Sequence, residues 1–196
     1  MPTLEIVNSE SLKGGRRIMG IDPGTQVMGY GVVQEDAQRQ LHLVVAGAVS
    51  LVKVGDPYQR LCEIYRTVQA LTGRFSPGEV AIEAPFFGKN AQSMLKLGRA
   101  QGVAIAAIIG AGYPIFEYAP RRIKQAITGK GAATKEQVAY LLQQIFVGQP
   151  LEELRYQDAT DGLAVAVCHA LQSSTPASGR GSSWEAFARQ NPDRVK

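Results

Sequence analysis

Four acidic residues stand where apolar runs end or begin. Asp22 closes Met19-Gly20-Ile21 and is followed at once by Pro23-Gly24-Thr25. Glu83 closes Val80-Ala81-Ile82, and Asp158 and Asp161 sit three apart at the head of an alanine-rich stretch. Carboxylates gathered from element ends are a way to hold a divalent cation. Each also has an ordinary explanation: Asp before Pro-Gly is common turn chemistry, Asp158 can cap a helix, and Asp161 can complement the helix dipole. Glu83 resists such an explanation, because a glutamate that directly continues a buried apolar run is costly unless it is paired or bound to metal. Asp158 and Asp161 share one helix face, where their mutual repulsion calls for a cation.

Oxygen donors alone favour magnesium, with manganese as the alternative. No His-Cys set offers a zinc site. His42 and His169 read as packing or surface residues, and Cys62 and Cys168, in apolar periodic segments, read as buried thiols in a reducing compartment. Such a centre hydrolyses phosphodiesters: two ions about 4 Å apart activate a water on one side and neutralise the leaving oxygen on the other. No protein nucleophile is required.

The elements that must position these groups follow from apolar periodicity. Residues 1–15 show no clear period and read as a loosely held extension. Three antiparallel strands come next, at about residues 17–21, 29–33 and 41–50. Asp56-Pro57 starts a helix that ends before Ser76-Pro77-Gly78. A buried strand over 79–83 precedes a long helix from about Lys89 to Gly112, on which Ala91, Met94, Leu95, Gly98, Gly102, Ile105, Ala106 and Ile109 share a face. That face admits another backbone closely, within the subunit or across a dimer. A fifth strand over 114–118 and helices over 121–128, 134–146 and 158–171 complete the order, with Thr134 and Gln137 as a capping box. The expected fold is α/β, a five-stranded mixed sheet with helices on both faces. Asp22 and Glu83 become neighbours if the first and fourth strands pair in its centre. From residue 173 the Ser/Gly-rich stretch reads as a flexible tail, with Trp184 and Phe187 as a weak interaction point, which leaves residues 16–172 as the one domain.

The 196 residues, 45% of them apolar, supply a proper core for that domain. The longest apolar run is too short for a membrane span and no signal layout opens the chain, so the expected location is cytoplasmic. The formal charge is +4. If four of the 17 acidic residues converge in one pocket, the remaining surface carries 21 basic against 13 acidic groups, which suits a phosphate-binding surface around an acidic cleft.

At this point several motifs fall into register. Gly20-Ile21-Asp22-Pro23-Gly24-Thr25 with Gly29-Tyr30-Gly31, Ala81-Ile82-Glu83 with Phe86-Phe87-Gly88-Lys89-Asn90-Ala91, residues 95–102, Tyr118-Ala119-Pro120-Arg121-Arg122-Ile123-Lys124, and residues 158–166 resemble the RuvC family. These are bacterial Holliday-junction endonucleases of the RNase H-like superfamily, and the resemblance runs over roughly residues 17–171. It implies a metal-binding catalytic tetrad of Asp22, Glu83, Asp158 and Asp161 in a homodimer, each site holding two Mg2+ ions (Mn2+ as alternative) and cutting one strand of a four-way DNA junction. It implies the RuvA-RuvB branch-migration complex as partner in recombination and repair. Phe86 matches the aromatic that stacks on a junction base, with Phe87 as the alternative. Lys124 and the catalytic Lys135 match basic residues near the scissile phosphate. Lys89, Lys96, Arg99, Arg121 and Arg122 are further phosphate contacts. Gly162 stands where the family usually has alanine, a change that on helix propensity alone costs about 1 kcal/mol.

Three other readings are compatible with parts of the chain. An RNase H-like nuclease with the same Asp-Pro-Gly opening can act on RNA. Asp22-x-Gly24 followed by Gly29 resembles the phosphate loop of actin-like and sugar-kinase ATPases, which need a second, duplicated domain. A junction-binding module without activity would bind and not cut, against the complete set of four acids.

Overall fold

A computed structural model describes residues 4–5, 15–85, 90–146 and 157–173. A two-residue strand β1 (Leu4–Glu5) is followed by β2 (Arg16–Asp22), β3 (Val27–Glu35), β4 (Leu41–Ser50), α1 (Pro57–Phe75) and β5 (Glu79–Glu83). Then come α2 (Ala91–Gly110), β6 (Ile115–Tyr118), α3 (Pro120–Thr128), α4 (Lys135–Ile145) and α5 (Gln157–Ser173). The sheet order is β1-β4-β3-β2-β5-β6, with β2–β5 and β5–β6 parallel and the other pairs antiparallel. The mixed five-stranded sheet expected from the sequence is present, and β1 adds a sixth member. Within the extension, Leu4 and Glu5 pair with Ala46 and Val45, covering part of the edge that β4 would otherwise expose.

Local chemistry sets the helix starts. Asp56 accepts from the Gln59 N–H at 2.7 Å with Pro57 in the first turn, and Thr134 and Gln137 form the reciprocal capping box at 3.0 and 3.3 Å. The long helix begins two residues later than the sequence pattern suggests, because Asn90 takes the cap and accepts from the Ser93 N–H at 3.1 Å.

Alternation along the strands divides the core in two. Met19, Ile21, Val80 and Ile82 pack against Ile64 and Val68 of α1 and Ala104 and Ile108 of α2. On the opposite face Ile18, Val33 and Ala81 meet α5, with α3 and α4 outside it. The face of α2 that packs inward is Ala100, Gln101, Ala104, Ala107 and Ile108. The stripe containing Leu95, Gly98, Gly102 and Ile109 points outward, and a Cβ at Gly98 or Gly102 would meet nothing within 4 Å. Close approach at those glycines is therefore not used within the subunit. Among the described residues no helix is long and apolar enough to cross a membrane.

Buried on all sides from Gly162 to Ala170, α5 is the central helix. It lies against β2 and β3 through glycines. A Cβ at Gly20 would strike the backbone of Gly162 and Ala166, one at Gly31 would lie 2.5 Å from Leu163 Cα, and one at Gly29 would strike the Asp158 carbonyl. Gly162 faces them, and a Cβ there would collide with Tyr30 and come 2.6 Å from the Gly29 carbonyl carbon. The propensity cost of Gly162 is thus the condition for seating the helix.

The far end of α5 is held by a polar network. Arg16 Nε donates to Glu79 Oε2 at 3.0 Å, His169 Nε2 lies 2.5 Å from the same oxygen, and the Tyr118 hydroxyl lies 2.7 Å from His169 Nδ1. Phe116 covers the imidazole with ring centroids 4.3 Å apart. Burial holds the His169 pKa below its ordinary value, so the ring is neutral. A neutral ring satisfies both partners only with its proton on Nε2, donating to Glu79 and accepting from Tyr118.

Gly162→Ala tests the seating of α5. Propensity alone would stabilise the helix by about 1 kcal/mol, whereas overpacking costs about 1–3 kcal/mol. A lower urea midpoint is expected for the variant, and an equal or higher midpoint would show that α5 can retreat from the sheet without cost.

Candidate active site

Parallel pairing of β2 with β5 matches Ile21 to Ile82, which places Asp22 and Glu83 next to each other at the carboxyl ends of the two central strands. Adjacent strands lie about 4.8 Å apart, so two carboxylates are fixed as close neighbours by backbone register alone. Asp161 reaches the same place from the first turns of α5, at the height set by the glycine contacts. Lys135, the first residue of α4, donates from Nζ to Asp161 Oδ2 at 2.5 Å. Together with Lys124 of α3 these side chains line a cleft of about 180 Å³ whose remaining wall includes Pro120, Ile123, Val138 and Ala164.

Asp158 lies one turn earlier on α5 and does not line the cleft. Its charge nevertheless acts on both Asp22 and Lys135. Burial pushes the Asp22 pKa up to about 6, helped by Asp161 and Asp158 and opposed by Lys135. Glu83 is pushed up to about 8, first by burial and then by the charges of Asp22 and Asp161, against Lys135 and Lys124. Burial works against the Lys135 ammonium, but the hydrogen bond to Asp161 and the surrounding carboxylates outweigh it and raise its pKa.

Among the described residues no three acidic, histidine or cysteine side chains converge tightly enough to hold an ion. Lys135 engages Asp161 in the cleft. The donor set still fits a hard divalent cation. All donors are oxygens, and Asp22 and Glu83 are disfavoured as anions until a positive charge joins them.

The basic residues read from the sequence fall into separate places. Lys124 and Lys135 flank the carboxylates. Exposed Arg121 lies over Gly131. Arg122 is turned away, hydrogen-bonding through Nε to Gln172 at 3.0 Å, about 16 Å of helix rise from Asp161. Its guanidinium is exposed and engages the α5 amide at this end of the helix. Lys96 and Arg99 belong to the α1–α2 layer, on the other side of the sheet. Phe86, Phe87 and Lys89, and Trp184 and Phe187, lie outside the described residues. The apolar wall of the cleft was not read from the sequence as part of the site: Pro120 and Ile123 fall within the motif at residues 118–124, and Val138 was marked only by its helical spacing.

Comparison with known proteins gives a consistent picture. The family model described as "Crossover junction endodeoxyribonuclease RuvC" matches residues 18–169. A protein of that name from Cytophaga hutchinsonii is 50% identical over 192 residues, covering 97% of this chain and 94% of that protein. Another from Porphyromonas gingivalis is 51% identical over 185 residues, covering 92% and 97%. The solved structure of Thermus thermophilus RuvC in complex with Holliday junction substrate is 32% identical, with a TM-score of 0.73 over 81% of this chain and 94% of that one.

The raised carboxyl pKa values fix a sign for stability. Asp22 and Glu83 bind protons more tightly folded than unfolded, so their contribution is fully present below about pH 4 and is lost as pH rises towards about 8. In chelator, the stability gap between wild type and Glu83→Gln should widen in favour of the variant from pH 5 to pH 8, read as urea midpoints. A gap independent of pH would show that Glu83 is not held at a raised pKa.

Proposed function

The chain belongs to the RuvC family of crossover junction endodeoxyribonucleases, and from that premise we propose that its cutting centre is the cleft of Asp22, Glu83 and Asp161, with Asp158 beside it and magnesium, or manganese, as its cation. The activity is resolution of four-way DNA junctions by hydrolysis of phosphodiester bonds. The observation that carries the site assignment is the convergence of Asp22, Glu83 and Asp161 with Lys124 and Lys135 at the carboxyl ends of the central strands. Bound there, one or two hard divalent ions supply Lewis-acid polarisation of the phosphodiester and a water of lowered pKa.

The protein's own groups do the positioning. Asp22 and Glu83 are held by strand register and need no side-chain search to face the ion. Asp161, which is paired with Lys135, would be a ligand of the cation, and the Lys135 ammonium stands in the same cleft, where it can neutralise charge growing on the phosphate. Lys124 stands in the same cleft as a second point charge. Pro120, Ile123 and Val138 make an apolar wall that limits water and strengthens these interactions.

Paired cuts require two clefts, which a homodimer supplies. The outward stripe of α2 supports this, with Leu95 and Ile109 exposed by 65% and 59% and glycines open beside them. The RuvA-RuvB complex is the partner expected through family membership.

The test is cleavage of a labelled four-way junction beside a linear duplex of matching sequence, with magnesium or chelator. Symmetrical nicks in the junction alone are expected, lost in chelator and reduced at least about 10³-fold in Asp22→Asn. Lys135→Met should lower the rate about 10²-fold or more. Cutting that persists when Asp22, Glu83 and Asp161 are all changed to amides would remove the assignment.

A further inference from the structure

Strand β6 borders the carboxylate cleft with little apolar packing of its own. None of its four residues is fully buried, and among the described residues β5 is its one neighbour in the sheet. A short edge strand of this kind opens readily unless other contacts hold it. Yet β6 supports two parts of the site. Tyr118, its last residue, pairs in register with Glu83, and the Tyr118 carbonyl accepts from the Ala84 N–H at 2.9 Å. Two residues further on, Pro120 opens α3 and lines the cleft, and Lys124 follows on the next turn of that helix. A displacement of Tyr118 therefore disturbs both the Glu83 end of β5 and the start of α3.

Side chains supply the hold that apolar burial does not. On the α2 face, Gln101 is buried and donates from Nε2 to Glu117 Oε2 at 2.9 Å. On the α5 face, Phe116 covers the His169 ring, and the Tyr118 hydroxyl lies 2.7 Å from His169 Nδ1. The ring is itself a fixed point: it is 1% exposed, and its Nε2 is engaged by Glu79 at the start of β5. With the proton on Nε2, Nδ1 presents a lone pair and the Tyr118 hydroxyl donates to it. The same helix delivers Asp161 to the cleft.

We propose that Tyr118 is a positioning residue for the cleft: through His169 and Glu79 it fixes the corner between β6 and α3 against α5, so that Glu83 and Lys124 stand in place opposite Asp161. The proposal rests on the junction-cutting reading and adds to it a residue outside the lining of the cleft. Its effect falls on the geometry of the reacting groups, where small misplacements are costly, and leaves substrate binding alone.

Three variants of the full chain separate this role from plain stabilisation. Tyr118→Phe removes the hydroxyl and keeps the ring. His169→Asn keeps an acceptor close to the position of Nδ1, whereas His169→Gln keeps a donor for Glu79 and loses the acceptor for Tyr118. Single-turnover cleavage of a saturating labelled junction with magnesium is measured beside junction affinity in chelator, at a temperature where urea midpoints show every variant folded. Tyr118→Phe and His169→Gln are expected to cut bound junction about 10-fold more slowly with affinity unchanged. His169→Asn should cut faster than either, and joining Tyr118→Phe to His169→Gln should cost nothing further, because both remove one contact. In chelator, amide hydrogen exchange at Ala84 should quicken in the two slow variants while amides in the middle of β2 keep their wild-type rates. A wild-type cleavage rate in Tyr118→Phe would overturn the proposal, as would equal slowing in His169→Asn and His169→Gln, or exchange that quickens evenly across the sheet. A wild-type chain that leaves the junction uncut would instead strike the junction reading, and the Ala84 exchange would then decide the anchor by itself.

Discussion

The contact between α5 and the β2–β3 pair is the constraint on which the rest of the site depends. Gly20, Gly29 and Gly31 on the strands face Gly162 on the helix, and each occupies a place where a single methyl group would overlap backbone. Ordinary helix-on-sheet packing is spaced by side chains, which can adjust. Here backbone meets backbone, so the height of the helix above the sheet is set by hard contact. Asp158 and Asp161 inherit that height. The geometry of the acidic cleft follows from the absence of four side chains as much as from the carboxylates themselves.

Electrostatically the cleft is a region of conflict that the fold tolerates. Two carboxylates at the ends of adjacent parallel strands are pressed together by register, and a third is delivered by a helix that cannot retreat. Protonation relieves part of the repulsion, since Asp22 and Glu83 hold their protons well above the ordinary carboxylate range. Lys135 relieves another part through Asp161. Strained, like-charged groupings of this kind belong to functional sites, where stability is given up for a poised arrangement. The apolar packing of both faces and the polar network at the other end of the central strands supply the compensation.

Much of this was legible in the chain because it is local. Val80-Ala81-Ile82 followed by Glu83 announces a buried strand with a charge at its end, Asp56-Pro57 and Thr134 with Gln137 announce helix starts, and Asp22 before Pro-Gly marks a strand end. The motifs shared with the RuvC family joined these signals into one site. What stayed hidden depends on distant partners. The bond between Arg122 and Gln172 spans 50 residues, and that between Arg16 and Glu79 spans 63, so no spacing rule reveals either. The purpose of Gly162 is invisible until Gly29 and Tyr30 are seen against it. Which stripe of α2 faces inward was ambiguous because small apolar residues occur on both sides, and β1 is too short to leave a periodic trace.

The two ends of α5 lead opposite electrostatic lives, and the helix behaves as a cantilever. Its root is fastened where His169, Glu79, Arg16 and Tyr118 share hydrogen bonds in a mostly buried setting, and its tip carries the aspartates that repel one another. Sliding the helix to ease the tip would break the fastening and drive Gly162 into the sheet. Changes of charge at the tip must therefore be absorbed by side-chain rotation, which is fast and local, leaving the frame that positions Asp22 and Glu83 undisturbed.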